Sequence, residues 1–63
     1  MLQITLKAAR INAGLTQMDV VNRTGISRST LHRWENGKGT PKLNDLRTLC
    51  ELYQVPMDCI KQE

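Results

Sequence analysis

Apolar residues recur every three or four positions within short stretches of this chain, and glycines and prolines separate the stretches. Leu2, Leu6 and Ala9 share one helical face, which predicts a first helix over residues 4–12. Asn12-Ala13-Gly14 ends it. Thr16-Gln17-Met18-Asp19 has the form of a capping box, with a hydroxyl at the N-cap and a carboxylate three residues on. A second helix follows over 17–23, with Val20 and Val21 inward and Met18 half exposed. Gly25 ends it, and Ile26 returns to the core. Ser27 is the N-cap of a third helix over 28–36, closed by Gly37. Lys38-Gly39-Thr40-Pro41 reads as a loop. A fourth helix over 43–53 turns Leu43, Leu46, Leu49, Cys50 and Tyr53 inward. Pro56 starts a terminal turn over 57–61, where Ile60 closes the core. Strand-like alternation is absent. The pattern predicts an all-α fold, a compact bundle of four to five short helices.

Two of these helices, joined by the tight turn Thr24-Gly25-Ile26, have the helix-turn-helix layout, whose second helix can lie in a DNA major groove. Helical geometry sorts that second helix. At about 100° per residue, with Arg28 as origin, His32 falls at about 40°, Ser29 at about 100° and Arg33 at about 140°. Leu31 and Trp34 fall at about 300° and about 240°, on the opposite side. One face is then Arg, Ser, His, Arg, which is free to meet base edges. The other is Leu and Trp, and Trp34 is expected in the core rather than stacked on a base.

Charge sharpens this picture. The 63 residues carry a formal net charge of +3. Residues 28–42 contain Arg28, Arg33, Lys38 and Lys42 against Glu35 alone, while the remaining charges balance five against five. The whole excess sits in the third helix and the loop after it, the footprint a phosphate backbone attracts. Length and composition exclude other classes. The chain makes one domain, residues 1–63, too small to enclose a substrate pocket, so neither an enzyme nor a small-molecule substrate is expected. No apolar run approaches the roughly 18 residues of a membrane helix. Lys7 and Arg10 interrupt any secretory leader. Cys50 and Cys59 lack a metal-binding or disulfide-scaffold spacing and read as free thiols of a cytoplasmic protein. With one histidine, no metal or other cofactor is expected.

The run Leu15-Thr16-Gln17, then Gly25-Ile26-Ser27-Arg28-Ser29-Thr30-Leu31, then Trp34-Glu35-Asn36-Gly37-Lys38 and Pro41 resembles the Cro and lambdoid-phage-repressor type of helix-turn-helix protein, the xenobiotic-response-element family. The likeness spans about residues 4–60. It implies that Gln17 bonds a phosphate and braces the recognition helix. It implies that Ser27, Arg28, Ser29 and Arg33 reach base edges or nearby phosphates, with His32 at a position that sometimes does. Asn36 and the backbone N–H groups near Gly37 and Lys38 would hold the sugar-phosphate strand, and Arg10 would pair with Glu35. Val21, Trp34 and Tyr53-Gln54 depart from the family, which usually has Ala, Ile or Val, and Leu-Gly there.

Each residue also has a plainer reading. Arg28 and Arg33 could be a solvated face, Ser27 a pure cap, Asn36 a helix-end residue, and Arg10 and Glu35 separate solvated charges. The arginine fork matches guanine O6 and N7, so G·C pairs are expected in the bound sequence. Thr16 and Gln17 at a helix N-terminus, with Asn36, Gly37, Lys38 and Lys42, form the expected phosphate-binding set. The sequence thus predicts a regulator of transcription, a small prokaryotic or phage repressor, that binds double-stranded operator DNA. A weak homodimer through about 55–60, with Met57, Cys59 and Ile60 as apolar contributors, would read two half-sites. The alternatives are a protein-binding adaptor or antitoxin-like module on the same fold, and an excisionase-like factor that bends DNA.

Overall fold

The computed structural model describes residues 3–61. Helices α1 (Leu6–Asn12), α2 (Gln17–Thr24), α3 (Arg28–Glu35) and α4 (Leu43–Tyr53) follow one another, and a 3-10 turn at Met57–Cys59 closes the chain. The fold is all-α.

Three of the four helices start where a hydroxyl takes up a free backbone N–H. Thr5 Oγ1 accepts from the Ala8 amide at 3.1 Å, and Ser27 Oγ from that of Thr30 at 3.3 Å. At α2 the capping box is complete: Thr16 Oγ1 accepts from the Asp19 amide at 3.1 Å, and Asp19 Oδ2 accepts from the Thr16 amide at 2.8 Å. The Thr16 N–H, and then its hydroxyl, hold the Asp19 carboxyl below the usual carboxylate range. Such caps contribute about 1 kcal/mol each. Gly25 ends α2 in the left-handed region, at φ 78°. That reversal lets α3 turn back across α2.

The start of α1 differs from its sequence-based bounds. Helix begins at Leu6, because Thr5 is the cap and Ile4 is extended. The Ile4 amide donates to the Cys59 carbonyl at 2.7 Å, and the Lys61 amide donates to the Ile4 carbonyl at 2.8 Å. These bonds make a parallel bridge between Ile4 and Ile60, which the absence of strand-like alternation did not lead one to expect. Leu2, assigned above to the inward face, lies outside the described residues.

The core consists of Leu6, Ala9, Val20, Leu31, Leu46, Leu49, Cys50, Tyr53 and Ile60. Ile4, Leu15, Ile26, Trp34, Leu52, Val55 and Met57 pack against it from the rim. Leu43 is a correction: it is 64% exposed, not part of the inward stripe of α4. It occupies the first helical position, after a Lys42 cap that makes no side-chain bond, so the stripe begins only at Leu46. Val21 is half-buried, whereas Val20 is sealed. Trp34 is also only half-buried. Its indole packs on the core and borders a cavity of about 50 Å³, room for a few water molecules. Ile60 is 3% exposed and fills the core, so it is not available to a second chain, contrary to its place in the expected dimer contact. Cys59 is half-buried and Cys50 buried, both as free thiols.

Two features of α4 cost stability. The Tyr53 hydroxyl is buried without a partner among the described residues. Burial, and then the negative charge of Glu35, push its pKa up to about 12. Next to it, Gln54 holds φ 59°, the only non-glycine in the left-handed region among the described residues. A side chain there costs about 1 kcal/mol or more. Gln54→Gly is therefore expected to stabilise the fold by about 0.5–1 kcal/mol, read as a higher midpoint in urea. An unchanged or lower midpoint would show that the strain is absent.

Candidate nucleic-acid interface

The apolar residue Leu31 fixes the rotation of α3. Its side chain is fully buried, and Trp34 leans inward beside it. Arg28, Ser29, His32 and Arg33 therefore lie on the exposed face, with Asn36 just past the helix end. Arg28, His32 and Asn36 are spaced four residues apart and make one row, one helical turn per step. Ser29 and Arg33 make a second row beside it. Arg28 has no partner among the described residues, whereas Arg33 is tied back: its Nη2 donates to the Lys38 carbonyl at 3.3 Å. Ser27 Oγ caps the helix, donates to Thr30 Oγ1 at 2.8 Å and lies 3.4 Å from Ser29 Oγ.

A buried carboxylate sets the tilt of α3 against the other helices. Glu35, with its side chain 2% exposed, accepts from Arg10 Nε at 2.8 Å and from Arg10 Nη2 at 3.3 Å. It also accepts from Gln17 Nε2 at 3.1 Å. Arg10 Nη1 donates onward to the Leu15 carbonyl at 2.8 Å. One arginine of α1 thus grips both α3 and the loop that leads into α2. The Glu35 hydrogen bond raises the Arg10 pKa further above its ordinary value, against the opposing effect of burial. Arg10 and Glu35 are a joined pair, not two solvated charges.

This brace brings the candidate phosphate-binding residues of two helices together. Gln17, at the first position of α2, reaches Glu35, the neighbour of Asn36. Its second amide hydrogen remains for another acceptor. Thr16 sits beside it with its hydroxyl occupied by the capping box. Gly37 and Lys38 are exposed where α3 ends, and the Lys38 amide donates to the Arg33 carbonyl at 2.9 Å. Lys42 is exposed at the far end of the loop, just before α4.

Two links lie outside the sequence-based reading. Asn36 Nδ2 donates to the His32 carbonyl at 2.7 Å and lies 3.2 Å from His32 Nε2. The i, i+4 spacing of His32 and Asn36 was the available signal. The Arg33–Lys38 bond had none, because it depends on how the loop folds back. Among the described residues, no group of His, Cys, Asp and Glu is arranged to hold a metal ion. Among the same residues, no helix is long and apolar enough to cross a membrane.

Residues 2–59 match the model of a helix-turn-helix domain family. The chain is 30% identical over 53 residues to the HTH-type transcriptional activator BcrR of Enterococcus faecalis, covering 84% of this chain and 26% of that protein. It is 31% identical over 52 residues to the cryptic phage CTXphi transcriptional repressor RstR of Vibrio cholerae, covering 82% of this chain and 47% of that protein. The chain thus spans about a quarter and about half the length of these two relatives. No solved structure gives a significant match. The capped α2, the glycine turn and the braced α3 agree with the family match: the chain belongs to the helix-turn-helix domain family.

Proposed function

We propose that the protein is a sequence-specific regulator of transcription that binds double-stranded DNA, with α3 in the major groove. The observation that carries this reading is the exposed face of α3. Arg28, Ser29, His32 and Arg33 lie on it, and the net positive charge of the chain is concentrated in residues 28–42. In this reading Arg28 is the principal base reader, because its guanidinium is unengaged. Arg33 reads a base only after leaving the Lys38 carbonyl. Ser27, Ser29 and His32 are secondary contacts. Thr16, Gln17, Asn36, Gly37, Lys38 and Lys42 hold the flanking phosphates, partly through backbone N–H groups. The two relatives are named as an activator and a phage repressor. We favour repression by occupation of a promoter, in the cytoplasm of a bacterium, and assign the protein no reaction.

One such module reads only a few base pairs, so we propose a homodimer on two half-sites about one turn apart. With Ile60 buried, the half-buried Val55, Met57 and Cys59 are what the segment 55–60 offers to a weak contact.

The test is titration of duplex DNA at two salt concentrations. Each neutralised phosphate is expected to contribute about −0.9 to the slope of log affinity against log salt. A flat response would instead favour the protein-binding adaptor. Arg28→Ala is expected to relax discrimination at one base pair by about 1–3 kcal/mol, with an unchanged melting curve. Binding-site selection from a random duplex pool would measure it. Unaltered discrimination would remove Arg28 from the reading set.

A further inference from the structure

The exposed face of α3 holds a contact that depends on a proton. Asn36 Nδ2 donates to the His32 carbonyl at 2.7 Å, and that bond fixes the amide orientation, since the amide oxygen there would meet a second acceptor. The other Nδ2 hydrogen is left for His32 Nε2, 3.2 Å away. Where Nε2 accepts that hydrogen, the neutral ring carries its own hydrogen on Nδ1. Both donors of Asn36 are consumed inside the helix end. Oδ1, an acceptor, is the polar atom left over, and a phosphate oxygen cannot bond to it.

Protonation inverts this. Both nitrogens of the imidazolium are donors, so Nε2 no longer accepts from the amide. The second Nδ2 hydrogen then faces a donor, the ring and the amide part, and Asn36 has that N–H to give elsewhere. We propose that His32 and Asn36 form a proton-operated latch. Neutral His32 keeps the donors of Asn36 from a DNA phosphate, and protonated His32 releases them. The inference rests on the DNA-binding reading above. His32 acts through Asn36 and is a positioning residue. Because phosphate favours the imidazolium, binding takes up a proton, and affinity rises as pH falls.

His32 is the single histidine of the chain. Its own helix carries Arg28, Arg33 and Glu35, and Lys38 follows in the loop. The helices packed on α3 bring Lys7 and Arg10 from α1 and Asp19 and Arg23 from α2. Glu35 is engaged by Arg10 and Gln17, and Thr16 holds Asp19 below the usual carboxylate range.

The experiment measures affinity for a mixed-sequence duplex at constant salt, from about pH 7.5 to about pH 5.5. Mixed sequence suffices because a phosphate contact does not depend on bases. The dissociation constant of the wild type is expected to fall roughly tenfold, within the limit of one decade per pH unit for one proton. His32→Gln is expected to be flat, and Asn36→Ala to lose most of the response. In the free protein, the side-chain amide resonances of Asn36 are expected to titrate together with the His32 ring. A pH response that survives Asn36→Ala would overturn the latch in favour of added charge alone, as would amide resonances that ignore the ring. Salt-dependent binding without any pH response would overturn the latch and leave the DNA reading standing. Binding that ignores salt at every pH would overturn both.

Discussion

Glu35→Ala is expected to remove most of the stability of the protein. The lost carboxylate accepts three hydrogen bonds, two from Arg10 and one from Gln17. Arg10 is only 9% exposed, so its guanidinium would be left buried and unpaired. Stranding one member of a buried pair costs about 3–5 kcal/mol. A domain of this size has a total stability of about 5 kcal/mol. Urea unfolding followed by circular dichroism measures the loss. Arg10→Met combined with Glu35→Leu is expected to recover most of it, because no charge then remains to be solvated. A single Glu35 variant as stable as the wild type would show that the pair is solvated and dispensable.

Leu31→Ala is expected to be nearly as damaging, at about 3 kcal/mol. Leu31 is fully buried, and its truncation leaves a void where α3 meets the core. Arg28→Ala, three residues earlier, is expected to change stability by less than about 0.5 kcal/mol. The contrast between the two, measured by the same unfolding curves, reports the rotation of α3 about its axis. Equal losses would mean that the helix is turned differently and that the guanidinium does not face outward.

That rotation was legible in the sequence. Leu31 and Trp34 recur on one side of α3 and Arg28, Ser29, His32 and Arg33 on the other, so the period of the helix separates them without reference to any other element. The caps at Thr16 and Ser27 were legible for the same reason, since each lies within a few residues of the amide it satisfies. What spacing missed depends on distant parts of the chain. Ile4 is extended because Cys59 and Lys61 offer it partners, and nothing near Ile4 announces them. Leu43 fits the inward angular sector of α4, but the core does not cover the first turn of that helix. Ile60 was assigned both to the core and to a dimer contact, and its burial allows only the first. In the candidate interface, charge and exposure were readable, but the internal bonds of Arg33 and Asn36 were not. Those bonds belong to a loop and a helix end, where side chains choose among several acceptors.

The parallel bridge between Ile4 and Ile60 closes the described chain on itself. Local opening of these two segments therefore has a single gate. Releasing the segment around Ile4 deprives the Lys61 amide of its acceptor and leaves Ile60 without its neighbour, so the two segments open together.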